Sequence, residues 1–460
     1  MKKRSLFLAM LLWAAGAAAQ NPTAYFMEGS TFRTQFNPAF APLRGYVNIP
    51  FVGSMQAGIT NNLPLSKLLY PRDGRLVTLL DPSVSADEAL AGLKTNNLLG
   101  TEVRMGLIGF GKFTKNHKNF WSFDLNLRTN AEINVPGALF EFIKRGDAGS
   151  IRNLGLEAEM YADAGVSYSF PLLGDKLYVG AKAKFIVGLA RAKVNFDRMD
   201  ITLHDDRWAV EAQGSIEANI PGAEVNYRYD DNGQLYFESD DIEINKIKPA
   251  GYGFAVDLGA TYEILPGLQA SLAVTDLGFI SWSKTNTVSG RAETSVEYTG
   301  ITIENGETTS SPDFSLDDLK QFRPIEAKGS ARALQASVNA GLEYFMWNHR
   351  VGFGLLYQAR FREFKTLHSV TGSINFSPIR WFTLSGSYTA GSGMGAFGLA
   401  LNLCPGWINF FVGTDLVTAR FTPQFVPVSQ KSMNVTFGLG IPLGRRSHRV
   451  AEYVRASDRK

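Results

Sequence analysis

The chain has almost no cysteine: Cys404 is the only one in 460 residues. An internal disulfide is excluded, and so is a cysteine-based zinc cluster. Histidine is scarce as well. The five are His117, His204, His349, His368 and His448, and none forms a His-Glu-x-x-His pair. No Gly-x-Ser-x-Gly elbow occurs. His368-Ser369 is the only neighbouring pair, at a tight turn. Gly106, Gly109 and Gly111 resemble a phosphate loop, but no helix follows, so they read as small wall residues. No enzyme, metal or cofactor is expected. Charge of one sign is lacking too: 46 Lys and Arg against 43 Asp and Glu give +3. Nucleic acid needs a concentrated basic surface, so it is not an expected partner. No long apolar run follows the N-terminus, which leaves no candidate for a spanning helix.

The N-terminus carries the clearest local signal. Lys2, Lys3 and Arg4 precede a short apolar core, Ser5 to Trp13, and Ala17-Ala18-Ala19 closes it. This order predicts a signal peptide over residues 1–19, against the blander reading of a buried helix. No Cys follows the cleavage site, which excludes a lipid anchor there. An exported protein without disulfides needs another source of rigidity. A closed barrel supplies it, because every backbone group pairs within the wall.

What the chain has in abundance is alternation. Trp121, Phe123, Leu125, Leu127, Ala131, Ile133 and Val135 fall on one face of a strand, opposite Ser122, Asp124, Asn126, Arg128, Asn130 and Glu132. Leu156 to Phe170 alternates likewise, with Glu157, Glu159 and Asp163 on the polar side. Successive strand residues point to opposite faces, so each segment is half apolar and half polar. The runs exceed the roughly 10 residues of a tilted membrane strand. Fourteen are expected: 43–62, 97–113, 119–134, 155–170, 175–198, 251–264, 267–284, 331–346, 349–364, 367–377, 380–390, 396–404, 407–418 and 432–443.

Every second connection is short, such as Pro171–Gly174, Leu265-Pro266 and Pro405-Gly406. The others include 63–96, 135–154, 199–250, 285–330 and 419–431. Short periplasmic turns against long outside loops are expected of an outer-membrane barrel, with both termini periplasmic. Aromatics such as Tyr168, Phe170, Tyr262, Trp347, Trp381 and Trp407 gather beside the short turns, where a girdle belongs. The fold class is therefore all-β: a transmembrane antiparallel barrel of about 14 strands.

The expected domains are the signal peptide 1–19, an N-terminal plug 20–42, the barrel 43–443 and a basic periplasmic tail 444–460. Short helices are expected in the outside loops. Ser85-Ala86-Asp87-Glu88 is a capping box, Pro136 can open a second helix, and Ser315-Leu316-Asp317-Asp318 can start a third. Leu90, Leu93, Leu139, Phe140, Phe142 and Ile143 form either a ligand groove above the pore or a self-packed lid. The acidic loop Asp230 to Glu243 lacks EF-hand spacing and reads as solvated. Asp124, Asn126, Arg128, Asn130, Glu132, Glu157, Glu159 and Asp163 should share one lumen surface, binding a polar solute or fixing the plug.

Asn37-Pro38-Ala39 in an N-terminal plug, followed by about 14 strands, resembles the FadL-like long-chain fatty-acid transporter barrels. Phe36 to Phe40, Leu139 to Gly146 and the closing Phe437 to Gly444 look closer still to an uncharacterised outer-membrane barrel family, classed as a domain of unknown function. The resemblance implies Asn37, Pro38 and Ala39 as plug residues. It also implies a passive channel for hydrophobic or amphipathic small molecules. The competing reading is a non-transporting scaffold whose extracellular loops hold protein partners. Outer-membrane lipid and lipopolysaccharide would surround either one.

Overall fold

The computed structural model describes residues 22–62, 69–72, 75–78, 81–146, 148–203, 208–230, 233–238, 241–244, 248–298, 301–304, 307–310, 321–379, 381–391, 394–417 and 432–444. The expected signal peptide, the third loop helix and all of the basic tail but Gly444 lie outside them.

Fourteen strands close into one ring. β1 is Gly45–Asn48 and, after a break, Met55–Asn61; β2 is Asn96–Phe113, β3 Phe120–Pro136, β4 Leu154–Leu172 and β5 Leu177–Leu203. β6 is Gly251–Leu265, β7 Leu268–Trp282, β8 Ser337–Met346, β9 Val351–Phe361 and β10 Thr366–Ile379. β11 is Phe382–Gly391, β12 Met394–Leu403, β13 Asn409–Val417 and β14 Ser432–Leu443. Each pairs antiparallel with the next, and β14 returns to both parts of β1, from Gly45↔Leu443 to Thr60↔Ser432.

The wall is inverted relative to a soluble protein. Along β10, Ser369, Thr371, Ser373 and Asn375 are buried, while Val370, Ile374 and Phe376 are exposed. The same reversal holds along β3, where Asn126, Arg128, Asn130 and Glu132 are buried. An apolar outside over a polar inside is the arrangement a bilayer selects. No helix among the described residues is long and apolar enough to cross a membrane.

One expectation is corrected here: 43–62 is not a continuous strand. Pro50 has no N–H to give the ladder, and Phe51 takes a left-handed φ of 66°. Gly53 N–H then turns back onto the Ile49 carbonyl at 2.6 Å. Pairing resumes at Met55.

Outside the ring, the wall grows beyond what a bilayer requires. The strand Trp208–Asn219 pairs with the upper part of β5 and with Thr287–Tyr298. Two short helices stand in the long connections. In α1, Ala86–Leu90, the Ser85 hydroxyl accepts from Glu88 N at 3.2 Å. α2 is Gly137–Arg145, capped by left-handed Gly146.

Candidate functional site

The lumen is occupied at three levels. At the end bearing the short turns lie residues 22–42, which enter through two 3₁₀ turns, Pro22–Phe26 and Thr31–Gln35. Tyr25, Phe26, Met27, Phe32, Phe36 and Phe40 form an aromatic cluster. The wall contributes little to it: Leu356, Ala400 and Phe411. Most of the facing wall is small or polar, as with Asn339, Ser385, Ser387 and Thr389.

Polar bonds from several strands hold this segment. Thr23 Oγ1 donates to Asp415 Oδ1 at 2.5 Å. Tyr25 and Ser271 hydroxyls meet at 2.5 Å, and Asn339 Nδ2 donates to the Phe36 carbonyl at 2.9 Å. Arg33 pairs with buried Glu343 of β8 at 2.5 Å and lies 4.0 Å over the Phe40 ring. Asn37 Oδ1 accepts from Ala39 N at 2.8 Å, while its Nδ2 reaches the Ala260 carbonyl at 3.2 Å. Pro38 and Ala39 lie with their backbone against Gly180, and the Asn37 amide against Gly259. Only glycine leaves room for so close an approach. Gln35 Nε2 donates to Ser54 Oγ at 3.1 Å, behind the break in β1.

The β8–β9 turn adds a titratable tie. His349 Nδ1 lies 3.1 Å from Glu28 Oε2, and its ring stacks 4.3 Å from that of Phe345. Burial alone would lower the His349 pKa. The Glu28 carboxylate outweighs it, helped by Glu343 and Glu263, and the net shift is upward. A raised histidine pKa stabilises fully below the ordinary value of about 6.5 and stops stabilising as pH rises through the shifted one. Protease cleavage within residues 22–42 of the folded barrel should therefore rise on going from about pH 6 to about pH 9. A His349→Gln variant should show a flat profile; an unchanged profile would remove His349 as the cause.

The second level is a charged belt. Asn126 Nδ2 donates to Asp163 at 3.0 Å, and Arg128 Nε to the same carboxylate at 2.7 Å. Arg128 also reaches Asp276 of β7 at 2.9 Å. Lys184 bridges Asp257 at 2.7 Å and Asp276 at 2.6 Å, and Lys182 pairs with Asp124. At the third level Asn130 Nδ2 donates to Glu159 at 2.9 Å, and Arg191 joins Glu157 and Glu217 at 2.8 Å each. Glu132 is buried beside them. Glu102 of β2 takes Arg360 of β9, seven places around the ring, so this pair spans the lumen. Lys193 meets Glu363 at 2.5 Å in the same layer. Of the eight expected lumen residues, hydrogen bonds join Asn126 and Arg128 to Asp163, and Asn130 to Glu159.

The six expected groove residues divide. Leu139 and Phe142 pack on Ile151, Met199, Ile201 and Val210. Leu90, Leu93 and Phe140 are half-buried, and Ile143 is 44% exposed. Lys144 Nζ donates to the Asp81 carbonyl at 3.1 Å, tying α2 to the loop that carries α1. Sequence reasoning missed Glu28, Arg33, Glu343 and His349. Two charges inside an otherwise aromatic segment were the available signal. Among the described residues no cluster of three His, Cys, Asp or Glu could hold a metal.

Among solved structures, the chain is similar to the Ralstonia pickettii toluene transporter TbuX, at 8% identity over 93% of this chain and 99% of that one, with a TM-score of 0.44. It is similar to the Pseudomonas putida toluene transporter TodX at 8% identity, over 93% and 97% of the two chains, with a TM-score of 0.39. The monoaromatic hydrocarbon channel CymD gives 8%, 95%, 99% and 0.36. Likeness at this level concerns shape alone. No curated protein matches the sequence. A family profile does, over residues 38–415, from Pro38 to β13. With most of the ring inside that match, the chain belongs to the family of unknown function DUF5723.

Proposed function

We propose that this barrel sits in the outer membrane as a plugged passive channel for hydrophobic or amphipathic small molecules, closed at rest. Residues 20–42 are the plug, 43–443 the wall and 444–460 a periplasmic tail. Both termini and the short turns face the periplasm, and lipopolysaccharide surrounds the outer half. The role is not catalytic.

One observation carries the reading. Much of the lumen wall is polar, and two buried apolar clusters lie inside the ring: Phe26, Phe32, Phe36 and Phe40 of residues 22–42, and Tyr161, Ile186, Ala255, Ile280 and Trp282 of β4 to β7. Once residues 22–42 shift, a hydrophobic solute would follow these side chains, because transfer onto a polar wall costs it contact without return. Half-buried Leu90, Leu93 and Phe140, with exposed Ile143, offer an apolar approach outside.

Liposomes with the barrel and a solvatochromic aromatic probe provide the test. Wild-type barrel should pass the probe slowly, and a variant lacking residues 22–42 should pass it several-fold faster. Heat-modified gel mobility shows whether each variant is folded. A folded deletion variant with unchanged flux would overturn the channel.

The second reading, a scaffold with protein partners at its extracellular loops, is favoured by the ion pairs that cross the lumen above the plug. It expects that unchanged flux, together with a partner recovered from native membranes by cross-linking through the loops.

A further inference from the structure

A cavity of about 250 Å³ opens at the short-turn end, between Gly29, Thr31 and Pro42 to Tyr46 on one side and strands β11 to β14 on the other. Its lining includes Asn402, Asn409, Trp381, Tyr46, Leu43 and Cys404. Nothing described above uses it. Asn402 is 2% exposed, and its Oδ1 has no hydrogen-bond partner among the described residues. Asn409 donates through Nδ2 to the Gly29 carbonyl at 3.1 Å, yet its Oδ1 is equally unpaired. These two residues, from neighbouring strands, line one small space. Leaving such groups unpaired costs free energy that a donor would recover.

The charge around them narrows the partner. Among the described residues no carboxylate lines the cavity. The one cation among the described lining residues, Arg44, is engaged by the carbonyls of Gly444 at 3.0 Å and Gly406 at 2.8 Å. A buried cation would find no countercharge among these residues, and the volume leaves little room for a phosphate beside a ring. Pro42, Leu43, Pro405 and Pro442 make the remainder apolar, and Trp381 gives an open ring face. The volume falls just below the usual range of about 300–1,000 Å³, enough for one ring and not for a chain.

We propose that this cavity binds a small uncharged molecule rich in hydroxyl or amide donors, such as a single sugar ring. Its donors pair with Asn402 and Asn409, and its C–H face lies on Trp381. The site does not depend on whether anything passes the lumen.

Cys404 is the only cysteine in the chain, so thiol modification reports on this cavity alone. Full-length folded barrel in detergent micelles is treated with a maleimide while probes are titrated. Glucose or N-acetylglucosamine should slow the reaction and saturate; glucosamine, glucose 6-phosphate and 1-hexanol should not. Asn402→Leu keeps the volume and removes the acceptor, and it should weaken protection about tenfold, as for one lost hydrogen bond. Trp381→Leu, at the exposed rim, should also weaken it. If Asn402→Leu does not fold, Asn409→Leu replaces it. Failure of both neutral sugars to slow modification in the wild type overturns the proposal. So does equal protection by hexanol, which would mark the cavity as an apolar slot.

Discussion

Replacing Lys184 with Met is expected to destabilise the folded barrel by about 3–5 kcal/mol. Lys184 is 3% exposed at its side chain and serves both Asp257 and Asp276. A buried pair gives little net stability, since desolvation offsets attraction. Removing one partner is different, because the other charge stays buried and uncompensated. Here Asp257 would be stranded, and Arg128, already paired with Asp163, would be left alone to neutralise Asp276. Urea unfolding in micelles, followed by tryptophan fluorescence, measures the loss. Adding Asp257→Asn and Asp276→Asn to Lys184→Met should recover most of it. A cost below about 1 kcal/mol, the size of an exposed pair, would mean that water reaches the belt and the lumen is open there.

The second large effect is expected from Gly180→Val. A side chain at Gly180 would press on the backbone of Pro38 and Ala39, which has no rotamer by which to yield. Overpacking of this kind costs about 1–3 kcal/mol. The population with residues 22–42 unseated should rise roughly ten- to hundredfold. Hydrogen exchange of the Ala39 and Phe40 amides, and proteolysis near them, would show it. Gly259→Val should act alike through Asn37. Gly372→Ala is the control: a methyl there meets nothing within 4 Å, so exchange should not change. Equal exchange in all three variants would mean that the glycine contacts do not hold the segment.

The ring itself was legible in the sequence, because alternation is local. Trp121 to Val135 shows its two faces without knowledge of any neighbour. The break in β1 was missed, because the alternation on either side of Pro50 concealed it. The belt was legible only by halves. Asp124, Arg128 and Asp163 could be placed on one surface by parity. That Glu102 faces Arg360 could not, since parity says nothing about which strands lie opposite across a closed ring. The seating of Asn37-Pro38-Ala39 against Gly180 and Gly259 was hidden for the same reason. A motif shows what a segment is, while its contact is a property of the closed shape.

The ring is sealed by the first strand and the last, through Gly45↔Leu443 and the pairs that follow. Arg44 reaches the carbonyl of Gly444 across the same seam at 3.0 Å. Contacts so distant along the chain are the slowest to form. Until residue 443 has been made, β1 and β13 are unpaired edges beside an apolar outer face, a state that invites aggregation. The consequence is one of timing. The strand that ends at Leu443 must be made before the ring can close, so the nascent chain must be kept apart from its like until that strand arrives.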